Sequence, residues 1–246
     1  MAHYDYKEGK KRINDILNNK LEVIKDSRIP KDESLTFKNA YYGWVTGIFV
    51  DIRDSTTLFS AEDKEIVSKM IRTFTSEIIE ILRDDDNLRE IGIRGDCVFA
   101  VYTTPLMDDI YNIADNAFQV NTFIKMLNKL FDKKSFPNIE VGIGIASSQE
   151  LVVKAGRKGT GINNSVWIGD AVTTAANLSA LGNKNGYSTI AMSSLTYDNI
   201  IEKMVVETAT AKSWFTRRID PALGAFYNAE IIKTDFDNWI SSGMPD

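Results

Sequence analysis

The chain has 246 residues, 43% hydrophobic and 26% charged, with a formal net charge of -5. This is the composition of an ordinary globular protein, and the acidic balance argues against a general nucleic-acid binder. A single cysteine, Cys97, and a single histidine, His3, exclude an internal disulfide, a cysteine-based zinc site and hydrolases that depend on an internal histidine. The sequence has no bilayer-spanning apolar run and no signal-peptide core, so we expect a cytoplasmic protein without a membrane segment.

The N-terminal part of the chain is predicted to be helical. Apolar residues at helical spacing indicate a helix over residues 7–28, ended by Pro30. We expect this helix to pack either on its own domain or against a second copy of the chain. The predicted organisation is an N-terminal helix and lead-in segment, 1–43, followed by one main domain, 44–246.

The main domain alternates irregularly between predicted strands and helices. The predicted elements are a strand over about 44–52, a helix from Ser55 to about Leu82, strands REIGI and CVFAVY, a helix over about 108–132, strands IEVGIGIASS and ELVVKAG, a basic glycine-rich loop GRKGTGINN, a helix DAVTTAANLSALG ended by Gly182, a strand YSTIAM, a short helix SSLTYDNII, and strand and loop ending in GAFYNAEIIK. This pattern, with hairpins among the strands, indicates an α+β fold with helices covering a mixed sheet.

Two carboxylates stand where apolar strands end. The run IFV stops at Asp51, and Asp96 follows Gly95 between two apolar strands. Glycine permits a tight hairpin turn, so the two carboxylates would meet at one sheet edge if that hairpin lies beside the first strand. Together with a backbone carbonyl and phosphate oxygens they would bind Mg²⁺ or Mn²⁺, and two such ions can hold a triphosphate. The alternative is an ordinary hairpin turn and a helix cap without a metal.

Four segments in chain order resemble the catalytic domain of class III nucleotide cyclases: FVDIRDST, RGDCVFA, VGIGIASSQELVVKAG and WIGDAVTTAANLSALG. The resemblance covers residues 44–232 and implies a mixed, largely antiparallel sheet with a ferredoxin-like core. It also implies that Asp51, Asp96 and the Ile52 carbonyl bind two divalent ions. The 3′-hydroxyl of a nucleoside triphosphate would attack its own α-phosphate and release pyrophosphate, in a homodimer with active sites between the subunits.

The positions that read a purine base in this family carry no polar side chain here. They are Gly92 and Val166, and a site that discriminates bases needs polar partners for them. The stretch IPKDESLTFKNAYYGWV resembles the pyrimidine cyclases of the bacterial Pycsar anti-phage system. That resemblance implies cyclic UMP from UTP as the favoured product, and a separate effector protein that the product activates. A cytidylate cyclase, a purine cyclase and an inactive cyclase-like dimerisation module are the alternatives.

Two further substrate contacts are predicted on the same basis. Tyr42, in an aromatic cluster with Tyr41 and Trp44, would narrow the base pocket so that a smaller base fits better. Arg94, directly before the hairpin turn, would donate to a pyrimidine O2 or to a phosphate. The alternatives are core packing for the aromatic residues and a solvated arginine at the hairpin.

The last motif departs from the family where many members carry a ribose-positioning asparagine and a charged arginine. Here these positions are Thr173 and Asn177. Because Asn177 has no charge, another cation must balance the triphosphate. The predicted cations are Arg218, with a catalytic role, and Arg217, as a substrate contact. Arg157 and Lys158 of the glycine-rich loop are further options, and an exposed charge is the alternative for each.

Overall fold

The computed structural model describes residues 4–157 and 160–245. The helices are α1 Tyr6–Asn18, α2 Ser55–Ala61, α3 Lys64–Arg83, α4 Met107–Asp132, α5 Asp170–Leu181, α6 Ser194–Glu207 and α7 Thr234–Ser241. The strands are β1 Glu22–Lys25, β2 Asn39–Ile52, β3 Leu88–Arg94, β4 Cys97–Thr103, β5 Val141–Gly156, β6 Asn163–Ile168, β7 Ile190–Ser193, β8 Phe215–Asp220 and β9 Gly224–Ala229.

All of these strands belong to one mixed sheet. The main order is β3-β4-β2-β5-β7-β9-β8, with β1 parallel to the start of β2 and β6 antiparallel to the end of β5. Helices α3, α4 and α6 cover one face and form the main core with it, and α5 covers the other face. The predicted α+β architecture of helices over a mixed sheet is confirmed.

The alternation of β2 decides which residues face each layer. Ile48, Val50 and Ile52 are buried in the main core beneath α3 and α4. Phe49 packs instead with α5 residues, and Asp51 follows it on that same face because strand side chains alternate.

Helix α5 lies unusually close to the sheet because β5 carries glycines beneath it. A Cβ atom at Gly144 would stand 2.0 Å from the carbonyl oxygen of Ala175, and one at Gly142 would stand 2.1 Å from that of Ser179. Any larger residue would push the helix away from the strand. The Gly-Ile-Gly spacing of this motif is therefore a packing requirement of α5.

The N-terminal helix prediction is confirmed only in its first half. Helix α1 ends at Asn18, and residues 22–25 form β1, paired with residues 39–42 of β2. The β-branched Val23 and Ile24 gain a strand partner there, and this tertiary pairing overrides a helical spacing that is weak beyond Leu21. The boundary predicted at residue 44 falls inside β2, and residues 22–25 and 39–43 belong to the same sheet as the rest of the chain.

The remaining differences concern element boundaries. The helix predicted over 55–82 is two helices, because the Asp63 carboxylate accepts from the Glu65 amide and caps a new helix, α3. The two strands predicted within 139–156 are one continuous strand, β5. The loop predicted over residues 156–164 overlaps the start of β6, and its residues 158–159 lie outside the described residues. Helix α7 was not predicted.

Across the two described stretches, no helix has both the length and the apolar character needed to cross a bilayer.

Candidate active site

The two predicted metal carboxylates lie at one edge of the sheet. Strand β4 pairs antiparallel with β2, and Cys97 stands opposite Asp51, so Asp96 is next to that pair. The turn between β3 and β4 contains Gly95 in the left-handed region at φ 64°, as the prediction required. The pKa of Asp51 is raised, first by burial and also by the negative charge of Asp96, which opposes ionisation at close range. The juxtaposition of the two acids is therefore present in the structure.

Arg53 is the immediate counter-charge of Asp51. Its side chain is only 3% exposed, and its guanidinium forms an ion pair with the Asp51 carboxylate. It also donates to the Asp51 carbonyl at 3.2 Å and to the Ala180 carbonyl, in the last turn of α5, at 3.0 Å. Arg53 therefore ties the acid at the end of β2 to the helix that carries Thr173 and Asn177.

The donor set at this edge fits a divalent ion that shares its ligands with a substrate. No group of three or more histidine, cysteine or acidic side chains suited to a metal is found among residues 4–157 and 160–245. The smaller set of Asp51, Asp96 and the Ile52 carbonyl offers two carboxylates and a backbone oxygen. These are too few to fill the coordination shell of a hard ion, which would take its remaining ligands from phosphate oxygens and water. Lys184, in the loop after α5, adds a positive charge that acts to lower the pKa of Asp51.

Thr173 and Asn177 lie one turn apart on α5, and both are exposed. The residues of this helix that face the sheet are Ala171, Ala175 and Leu178, which are buried. Within one protomer, Thr173 and Asn177 therefore point away from the sheet that carries Asp51. They are free to meet a second subunit, as the resemblance implies.

Arg217 and Arg218 lie on β8, at the opposite end of the sheet from β4. Four strand spacings separate β8 from β2, roughly 19 Å. Arg218 is paired with the buried Phe226, and its guanidinium lies 5.5 Å from the centre of the Tyr187 ring. Arg217 is paired with Tyr227 on the other face. The two arginines thus face opposite sides of the sheet, and the fold brings neither to Asp51 within one protomer.

The remaining predicted contacts are spread along the sheet. Arg94 is exposed and directly precedes the turn that carries Asp96, so it lies near the paired acids. Tyr42 lies nine residues before Asp51 on β2, about 30 Å along the strand, and the alternation places it on the opposite face. Arg157 is exposed, and Lys158 lies outside the described residues.

An aromatic pair fills the space beside Gly92, the position where purine cyclases of the family carry a base-reading residue. Gly92 stands opposite Phe99 across the β3–β4 hairpin, and a Cβ at Gly92 would lie 2.8 Å from two ring carbons of Phe99. The Phe99 ring stacks on Phe49 with centroids 5.3 Å apart. Both phenylalanines share the face of Asp51, two residues along each strand. Val166, the second base-reading position, is 40% exposed on β6.

Glu150 is a buried acid that holds the start of α5. It is fully buried on β5, one of its oxygens accepts from the Val172 amide at 3.1 Å, and the other has no hydrogen-bond partner among the described residues. Burial raises the pKa of Glu150, the amides of Val172 and Ala171 oppose that rise, and the charge of Asp170 adds to it. Glu150 is thus a second residue, after Arg53, that fixes the position of α5.

We expect Glu150 to make the stability of the chain depend on pH. The pKa of Glu150 in the folded chain lies above the ordinary value of 4.5. Its stabilising contribution to the free energy of unfolding is therefore fully present below pH 4.5 and is lost as the pH rises through the folded pKa. Glu150→Gln stays neutral, so its melting temperature should change less than that of wild type between pH 5 and pH 8, by a few degrees. Thermal unfolding at stepped pH checks this. Parallel curves for the two proteins would contradict it.

The sequence prediction did not name Arg53, Phe99, Glu150 or Lys184. Arg53 follows Asp51 by two positions, so strand alternation already indicated a shared face. Phe99 and Gly92 are equally distant from the Gly95–Asp96 turn, so a two-residue hairpin register already paired them. Lys184 had no comparable signal, because its position depends on how the loop after α5 folds back on β5.

The fold agrees with what is found in known proteins. The family model of the adenylate and guanylate cyclase catalytic domain matches residues 37–214. The chain therefore belongs to the nucleotide cyclase catalytic domain family.

Curated relatives named uridylate cyclase match this chain, and two of them cover nearly all of it. The one from Treponema porcinum is 55% identical over 243 residues, covering 99% of this chain and 83% of the relative. The one from Gulbenkiania mobilis is 28% identical over 246 residues, covering 96% and 95%.

Solved structures support the same fold. A bacterial light-regulated adenylyl cyclase superposes with a TM-score of 0.62 at 18% identity, covering 82% of this chain and 98% of that one. The adenylyl cyclase CyaB from P. aeruginosa superposes with a TM-score of 0.61 at 19% identity, covering 77% and 95%. The class III cyclase fold that the sequence motifs predicted is confirmed.

Proposed function

We propose that this protein is a uridylate cyclase, which converts UTP to 3′,5′-cyclic UMP and pyrophosphate. The observation that carries the cyclase reaction is the meeting of Asp51 and Asp96 beside the β3–β4 turn. The choice of a pyrimidine is supported by the apolar base-reading positions and by the uridylate cyclase relative that matches nearly the whole chain at 55% identity.

The chain's own residues supply binding and orientation. Asp51, Asp96 and the Ile52 carbonyl would hold Mn²⁺ or Mg²⁺, two ions per site, which when bound polarise the 3′-hydroxyl and the phosphate oxygens. Arg53 keeps the Asp51 carboxylate in place through its buried guanidinium. Lys184 and Arg94 add positive charge at the same edge, where the triphosphate brings negative charge.

The second subunit of a homodimer completes the site in this proposal. Thr173 and Asn177 are exposed and face away from their own Asp51, as residues would that serve the partner's substrate. Tyr42, Arg217 and Arg218 are remote from Asp51 in their own protomer, so any contact they make with the substrate is proposed to be in the partner's site. We propose that Thr173 contacts the ribose, Tyr42 the base and Arg217 the triphosphate. Arg218 and Asn177 are proposed to lie nearest the charge that develops at phosphorus.

The base pocket is proposed to select by size. At Gly92 no side chain reaches towards a base, and the Phe99 ring takes up the space that one would occupy. A purine needs both the extra room and polar partners, and the Phe49–Phe99 stack offers neither. A pyrimidine has one ring less and fits beside the stack.

The cellular role in this proposal is synthesis of a second messenger in anti-phage defence, in the cytoplasm. It rests on the resemblance to the Pycsar cyclases and on the uridylate cyclase relatives. Cyclic UMP would leave the enzyme and activate a separate effector protein.

The proposal is tested by product identification with each of ATP, GTP, CTP and UTP separately, with Mn²⁺, by mass spectrometry. We expect cyclic UMP from UTP, lost in Asp96→Asn. Cyclic CMP as the main product would correct the base, and cyclic AMP or cyclic GMP alone would reject a pyrimidine cyclase. Absence of product from all four would favour the inactive module.

A further inference from the structure

Helix α1 presents an apolar stripe that its own protomer does not cover. Tyr6, Ile13, Ile16 and Leu17 fall on one face of the helix at spacings of three, four and seven residues. Their exposed fractions are 71%, 54%, 71% and 74%. Within the described part of the chain, no hydrogen bond, ion pair or core cluster joins α1 to the rest of its protomer. We call residues 4–21 the arm; its helix, α1, thus lacks a packing surface within its own protomer.

Such a helix needs a partner to stay folded. It has 13 residues and a good N-terminal cap, in which the Asp5 carboxylate accepts from the amides of Lys7 and Glu8. Isolated helices of this length are marginal in water, because most helical stability comes from packing an apolar face. The stripe also continues beyond the helix through Leu21, 50% exposed, to Val23 on β1, 52% exposed.

Charge indicates what the partner is. Residues 4–21 hold five basic and three acidic side chains, a formal charge of +2. Since the whole chain has a net charge of -5, the residues outside the arm carry -7. A basic arm therefore complements the acidic body of another molecule of this same chain. An anionic membrane would attract the arm but repel the body, which is joined to it by a short connection.

The area is sufficient for a stable assembly. The four apolar side chains of the stripe, each more than half exposed, present on the order of 500 Å² of accessible surface per arm. Burying two arms and the two surfaces that receive them would remove roughly 2,000 Å² of accessible surface in total. That is the size of a standard specific interface. A two-fold dimer would use both arms equivalently.

We propose that the arm, residues 4–21, docks through its Tyr6–Ile13–Ile16–Leu17 stripe onto the body of a second copy of the chain and holds the dimer together. The inference rests on the proposed function in one respect: the dimer it stabilises is the one whose composite site makes the cyclic nucleotide. In the sheet, β1 anchors the base of each arm to β2, the strand that carries Asp51. The arm therefore links dimerisation to the strand of the active site.

Analytical ultracentrifugation of the full chain tests the arm, with Ile13→Asp/Leu17→Asp against wild type. The monomer mass is 27.6 kDa, and we expect wild type at twice that value. The double variant should dissociate at a concentration at least tenfold higher, since two charges would be placed in an apolar contact. Val206→Asp is the matched control, because Val206 is 87% exposed on α6 and outside the stripe, and it should match wild type.

The outcomes distinguish a failure of the arm proposal from a failure of the proposed cyclase function. An unchanged dissociation constant in the double variant, or a monomeric wild type, overturns the arm proposal whatever the activity. Flotation of wild type with phosphatidylglycerol vesicles, lost in the double variant while the dimer is unchanged, overturns it in favour of a membrane surface. A weakened dimer in the double variant supports the arm even if wild type makes no cyclic nucleotide, which would reject only the cyclase.

Discussion

Asp51→Asn should lower the rate of cyclic UMP formation by about 10³-fold or more, equivalent to roughly 4 kcal/mol of transition-state stabilisation. Asparagine keeps the shape of the side chain and still accepts a hydrogen bond from Arg53. It removes the negative charge that a divalent ion requires from its protein ligand. The variant should therefore fold and lose both turnover and Mn²⁺ binding, which titration of free Mn²⁺ by electron paramagnetic resonance measures directly.

Asp54→Asn is the matched control for that variant. Asp54 lies three residues later, is exposed, makes no side-chain cap bond and adopts a left-handed backbone at φ 49°, which asparagine tolerates. Its activity should stay within about twofold of wild type. Full activity in Asp51→Asn, or equal losses in both variants, would remove Asp51 from the metal site.

Phe99→Ala should lower the preference for UTP over ATP, measured as the ratio of kcat/KM values, by about tenfold or more. The substitution removes the ring that fills the space beside Gly92, and room for a single group changes discrimination by on the order of 1–3 kcal/mol. Gly92→Ala should act in the opposite way on the pocket, since its Cβ would push the Phe99 ring from its position. That variant should lower kcat/KM for UTP without a gain for ATP.

Loss of packing must be separated from loss of selectivity in this experiment. Phe99 is half-buried, so its removal should also destabilise the chain by about 1–3 kcal/mol. Phe236→Ala removes another half-buried phenylalanine, from α7, and should destabilise comparably without changing the preference for UTP. An unchanged UTP-to-ATP ratio in Phe99→Ala would show that the ring does not set the base.

The sequence contained the hairpin geometry of the site, because local rules determine it. A glycine at the turn between two apolar strands of matched length predicts a hairpin with Asp96 at its tip. The four motifs then indicated that this hairpin lies beside the strand that carries Asp51. The same motifs predicted the fold class, since their order fixes the order of strands and of the helix above them. These are short-range signals repeated along one chain.

What the sequence did not determine depends on tertiary contacts. Residues 22–25 have a weak preference of their own and became β1 because β2 offers an unpaired edge. The face occupied by Tyr42 follows from a register that runs without a break from Ala40 to Ile52, and this continuity is visible only in the assembled sheet. Arg217 and Arg218 are adjacent in sequence, and strand alternation separates them to opposite faces.

The most direct measurement is a competition in which wild type receives equal concentrations of ATP, GTP, CTP and UTP with Mn²⁺, and all four cyclic products are quantified by mass spectrometry beside pyrophosphate. We expect cyclic UMP to exceed each other cyclic nucleotide by at least about tenfold. The amount of pyrophosphate should equal the sum of the cyclic nucleotides, and Asp51→Asn should form neither product. Cyclic AMP or cyclic GMP as the main product, or cyclic UMP undiminished in Asp51→Asn, would contradict a pyrimidine cyclase built on the paired acids.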